Sequence, residues 1–121
     1  MTYRPVFTFE QLKKEKERQI RKGGADIMLA ITTPYTAEER DTWPIQVAEA
    51  KAYDADNNAS IPMIDALVAG RGNTKADQVA RILANEAAFK MAVGQILGIQ
   101  QAKIDLVHAA TTTAEVVAVT W

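Results

Sequence analysis

The stretch from Lys75 to Ala109 constrains the chain more than any other. Val79, Ile82, Leu83, Phe89, Val93, Ile96, Leu97, Ile104 and Val107 recur there at three- and four-residue intervals, the period of one face of a helix. Asn73 or Thr74 stands at its start as an N-cap. The pattern predicts a helix from about Lys75 to about Ala109, roughly 50 Å long at 1.5 Å rise per residue. One face should be buried along most of its length, so the preceding segments must pack back against it.

Those segments also read as helices. Thr8-Phe9-Glu10-Gln11 is a capping-box pattern, in which the threonine hydroxyl accepts from an amide one turn in and the glutamine reaches back. The helix it opens is highly charged through Ile20, and its narrow apolar stripe holds Phe9 and Leu12, with Ile20 as an optional third member. Gly23-Gly24 is expected to break or hinge it, since each glycine costs about 1 kcal/mol against alanine in a helix. The apolar run Ile27 to Ile31 then forms either a last helical segment or an extended piece on the core. Thr33-Pro34-Tyr35 reads as a turn. Thr36 with Glu39 makes a second capping box, and Pro44 inside that helix predicts a kink or a fresh start capped by Asp41 or Thr42. Asp54 to Ser60 is a polar loop. A short helix follows with Pro62 in its first turn, Ser60 as cap, and Gly70-Arg71-Gly72 as its end. Thr112 with Glu115 starts a terminal helix running from Ala114 to Val119. No alternation long enough for a strand occurs.

The fold expected is therefore all-α: a small helical domain with one long C-terminal helix packed in hairpin fashion on shorter helices, plus a charged N-terminal helical arm. Residues 1–34 would form the arm and connector, and residues 35–121 the helical body.

Composition narrows the chemistry. The 121 residues include no cysteine and one histidine, so disulfides, thiolate zinc sites and thiol nucleophiles are out, and a triad or His-based metal site would have to use His108. No partner constellation points at His108, which suits the carbonyl end of the long helix. The carboxylates Glu38, Glu39, Asp54, Asp56, Asp65 and Asp77 fall at caps, in a loop or on polar faces, outside any calcium-loop pattern. The chain is read as non-enzymatic, with no cofactor, no metal and no small-molecule substrate. No apolar run approaches the ~20 residues of a bilayer span, and the charged N-terminus lacks a hydrophobic segment after it. Neither an anchor nor a leader is expected, and no membrane partner.

The net charge of −1 hides an asymmetry. Residues 1–22 hold seven basic and three acidic side chains, whereas the remainder is acidic. Lys13, Lys14, Lys16, Arg18, Arg21 and Lys22 are candidate contacts to an acidic partner surface; the bland alternative is a solvated helix whose Glu and Lys side chains pair along its face. Nucleic-acid binding through this stretch is a lesser alternative, because aromatic interleaving is missing. Gly94 and Gly98 put two glycines on one helix face and admit a close helix, of this chain or of another copy. Trp43, Tyr53, Leu67 and Phe89 are the other candidate packing anchors. Trp121 either closes the chain's own core or enters a partner.

Tyr35, Glu38, Trp43, Gln46, Glu49, Ala50 and Tyr53, then Pro62, Asp65, Ala66, Leu67, Arg71 and Gly72, then Ala80, Ile82, Phe89, Gly94, Gly98, Gln101 and Asp105, and the Trp121 ending, resemble a family of short helical bacteriophage tail proteins. These are described as tail-fibre-associated or tail-fibre assembly proteins, and also occur as C-terminal segments of tail-fibre proteins. The likeness spans roughly residues 10–121; its most specific parts are the tryptophan with glutamine three later, the proline-to-Arg-Gly helix and the paired glycines. The chain departs from the pattern at Gln100, where an arginine is common, and at Gly23-Gly24, where the first helix is usually alanine-rich and continuous. The resemblance implies a non-enzymatic protein of the phage tail, made in the host cytoplasm and located in the virion. Its partners would be tail-fibre or baseplate proteins and, as a further option, other copies of itself. A transient fibre-assembly chaperone is the alternative that the resemblance also admits.

Overall fold

A computed structural model describes residues 7–121. It is helical: α1 (Phe9–Thr32), α2 (Ala37–Ala55), α3 (Pro62–Arg71), α4 (Lys75–Ala109) and α5 (Thr113–Ala118), with no strand among the described residues. The long helix has the limits read from its periodicity and packs against the shorter helices, but its apolar face is not buried along most of its length: no residue from Leu83 to Ile99 is buried, because the shorter helices cover only its two ends.

The chain divides into two compact units, but not at residue 34. One consists of Met1–Ile31 with Val93–Trp121, the other of Thr32–Ala92. The segment expected to be an arm is thus largely structural, because α1 is held by α4 and by the residues after it.

In the unit Thr32–Ala92, Ala50, Ile61, Ile64, Val79 and Ile82 form the buried centre, with Val47, Tyr53, Val68 and Leu83 packed around them. Thr36 starts α2 by the predicted reciprocal bonds: Glu39 N donates to Thr36 Oγ1 at 3.1 Å, and Thr36 N to Glu39 Oε1 at 3.4 Å. The helix runs through Pro44 without a fresh start. Thr42 turns its hydroxyl to the Glu39 carbonyl at 2.7 Å, so it serves inside the helix rather than as a cap.

The expected Ser60 cap of α3 is not used. Ile61 occupies the cap position without a side-chain bond, and Glu49 of α2 takes over. Its carboxylate accepts from Met63 N at 3.3 Å and Ile64 N at 2.9 Å, satisfying two of the amides that a helix start leaves open and placing a negative charge at the positive end of the dipole. Glu49→Ala should lower the stability of this unit by about 1–2 kcal/mol, read as a lowered denaturation midpoint with unchanged slope. At the other end, Gly72 at φ 83° sends its N–H to Val68 O at 2.8 Å, a left-handed closure that glycine adopts freely. Thr74 then caps α4 by accepting from Asp77 N at 3.1 Å. Asn73 instead donates to Asp77 and to the buried Gln78 carboxamide, both at 2.9 Å.

In the unit Met1–Ile31 with Val93–Trp121, Ile20, Ile104, Val107 and Val119 form the buried centre. The third capping box is present in its main bond, Glu115 N to Thr112 Oγ1 at 3.2 Å. Gly23-Gly24 neither breaks nor ends α1, which continues to Thr32. A Cβ on Gly23 would collide with Trp121 Nε1, and one on Gly24 with Gln100 Oε1. The helical cost of two glycines is accepted here because side chains occupy the space where a Cβ would stand.

Candidate interaction surface

The basic side chains of α1 are mostly engaged within the chain. Lys13 Nζ donates to the carbonyls of His108 at 2.8 Å and Ala110 at 3.2 Å, neutralising the negative end of α4; it also lies 5.2 Å from the Phe9 ring centre. Arg18 grips Glu15 with two nitrogens at 2.6 and 3.0 Å. Arg21 pairs with Glu17 at 2.9 Å and Lys22 with Asp26 at 2.9 Å. The Arg18 guanidinium holds the Glu15 carboxyl below its usual range, and Arg21 first, then His108, do the same to Glu17. These are the paired charges of a solvated helix face. Of the six basic candidates, Lys14 and Lys16 alone make no hydrogen bond or ion pair with the described residues.

Trp121 closes its own unit. Its indole Nε1 donates to the Ile20 carbonyl at 2.7 Å, and the ring lies along Gly23 and Gly24. Lys103 sits over the ring at 5.9 Å and donates to the Thr120 carbonyl, so the same cation fixes both of the last two residues. Nothing in the local sequence signals this seat, since it joins residues a hundred positions apart.

The anchors divide. Tyr53 packs on the core of its unit. Trp43 is half-buried, set edge-on between Tyr35 at 5.1 Å and Phe89 at 6.1 Å, while Leu67 is half-buried outside the core cluster. Phe89 remains 38% exposed. Gly94 and Gly98 are not packing anchors within this chain: a Cβ at either would meet nothing within 4 Å. Gly98→Ala should therefore raise stability by about 0.5–1 kcal/mol through helix propensity alone, measured by chemical denaturation.

These two glycines lie in the part of α4 that the chain leaves bare. From Leu83 to Ile99 no residue is buried, while Met91 is 68% and Ile99 49% exposed. By length and composition α4 is also apolar enough to cross a bilayer, and almost none of that apolar stretch is buried. That is more apolar than the run lengths alone suggest, although Glu86 and Lys90 interrupt it and pair at 2.8 Å. Among the described residues no three His, Asp or Glu side chains gather as a metal site. No family model matches the chain, and no curated protein or solved structure matches it.

Proposed function

We propose that the protein is a non-enzymatic structural component of a bacteriophage tail, attached to the tail fibre or baseplate and acting through protein–protein contact. The observation that carries the contact role is the bare middle of α4. A helix in water normally turns charged side chains outward, whereas this one presents Met91, Gly94, Gly98 and Ile99. Exposed apolar surface of this kind marks interaction sites. The assignment to a phage tail rests on the resemblance carried by Trp43, Gln46, the Pro62 to Gly72 helix and the paired glycines of α4. Lys14 and Lys16 remain as the basic contacts that α1 can offer a tail subunit.

Mass spectrometry of purified phage particles tests the reading. The chain should be present in stoichiometric amount with a fibre or baseplate subunit. Its absence from particles, with recovery on fibre subunits in the lysate, would replace the virion role by that of an assembly chaperone. Recovery with neither would overturn the tail assignment.

A further inference from the structure

We propose that Trp121 is the moving tip of a strap that opens and closes over Gly23, Gly24 and Gln100 without unfolding its unit, and that the strap decides whether α1 is one rod or two. Every group involved belongs to the unit Met1–Ile31 with Val93–Trp121. The base of the strap is fixed: Val119 is 8% exposed and part of the buried centre, whereas the tip, Trp121, is 40% exposed. Beyond Val119 the chain lies outside any helix. It is tied down by the indole N–H on Ile20 O and by Lys103, which donates to Thr120 O and covers the ring. Release of these ties leaves Ile104, Val107 and Val119 packed together.

Gln100 works against the closed form. It is 7% exposed, its Oε1 is buried with no hydrogen-bond partner among the described residues, and it lies where Gly24 meets the Cζ2 edge of the indole. On the same face of α4, Ile104 and Val107 follow at helical spacing, and both are apolar. A hydrocarbon side chain at position 100 would suit the closed form better, since a buried carboxamide oxygen without a donor forfeits its hydration. Opening returns water to it. The indole contacts favour closure and Gln100 opposes it, a balance that brings a minor open state within thermal reach.

The glycine pair turns that balance into a change of shape. Ile20 O is the acceptor that a helix assigns to the N–H of Gly24, so the indole docks on the turn that carries α1 across the pair. The Lys22–Asp26 ion pair at 2.9 Å also bridges the glycines, but both its side chains are exposed. Such a pair contributes little in water. With the indole away, two adjacent glycines leave the helix weakest at that point, and residues 25–31 are free to leave the axis set by residues 9–22.

NMR relaxation dispersion on the full isotope-labelled chain tests the strap, whatever the chain assembles with. The indole N–H of Trp121 and the amides of residues 23–28 should share one exchange process on the microsecond-to-millisecond scale, with an open population of about 1–5%. Gln100→Leu and Gln100→Met keep the approximate size of the side chain without its carboxamide, and each should lower that population at least about fivefold. Either one, once folded, suffices. Gln100→Glu should act in the opposite sense: near neutral pH an ionised carboxylate resists burial beneath the ring, so the open form becomes the major one, and closure returns as acid protonates the carboxyl. Trp121→Ala should give residues 23–28 the chemical shifts of the minor form. An indole that exchanges only on global unfolding would overturn the strap, and so would an open population that neither apolar replacement of Gln100 changes. An open population that shrinks as protein concentration rises would also overturn it, because the seat would then be filled by Trp121 of another copy.

Discussion

Trp121→Ala should cost the unit built from α1 and the later part of α4 about 2–3 kcal/mol. The ring is 40% exposed, so the loss falls below the roughly 3–5 kcal/mol of a fully buried aromatic. It is kept from being small by the indole N–H bond to Ile20 O and by the cavity that would open along Gly23 and Gly24. Gly23→Ala should reproduce part of this from the opposite wall. Its Cβ would enter the space of Trp121 Nε1 and Cδ1, the indole must swing out, and its bond to Ile20 O is broken. The net loss should be about 1–2 kcal/mol, after the helix-propensity gain of the alanine is offset. Amide hydrogen exchange should locate both losses in α1 and in α4 beyond Val93, while α2 and α3 keep their protection. Equal protection in the Trp121→Ala variant would mean that the indole adds nothing to the unit.

Ile64→Ala should be the most damaging single change in the other unit, at about 3 kcal/mol. Ile64 is fully buried between α2 and α4, in contact with Ala50, Ile61, Val79 and Ile82, and removal of that much buried hydrocarbon typically costs 2–5 kcal/mol. The ten residues of α3 are too few to be stable alone, so this helix depends on Ile64 for its packing and on Glu49 for its start. Ile64→Val should cost about 1 kcal/mol. Denaturation midpoints of the two variants check the ratio. Since Ile64 N also donates to Glu49, Ile64→Ala and Glu49→Ala act on the same turn and should not add.

What the sequence made legible was local. Each capping box spans four residues: Thr8 with Gln11 and Thr36 with Glu39 carry both bonds, and Thr112 with Glu115 carries the one from the Glu115 amide. The limits of α4 were legible for the same reason, since its period and its caps lie within it. Long-range substitutions for local rules were not legible. Glu49 caps α3 in place of Ser60, Lys13 closes the end of α4, and Trp121 turns Gly23-Gly24 from a hinge into a seat. The two glycine pairs exchange the roles that spacing suggests. The pair that helix propensity marks as a break is tightly packed, and the pair whose spacing marks a packing face meets nothing in its own chain. Propensity weighs only backbone entropy, and spacing says that another surface can approach, not which one.

The aromatic placements make the protein its own spectroscopic probe. Of the two tryptophans in the chain, Trp43 sits among Tyr35 and Phe89 in one unit and Trp121 beneath Lys103 in the other. Each compact unit thus holds a single indole in a different electrostatic setting, one surrounded by ring edges and the other beside a cation and a carbonyl. Replacing either with phenylalanine leaves an emission signal that follows one unit alone, so the melting of the two halves can be timed separately without attaching any dye.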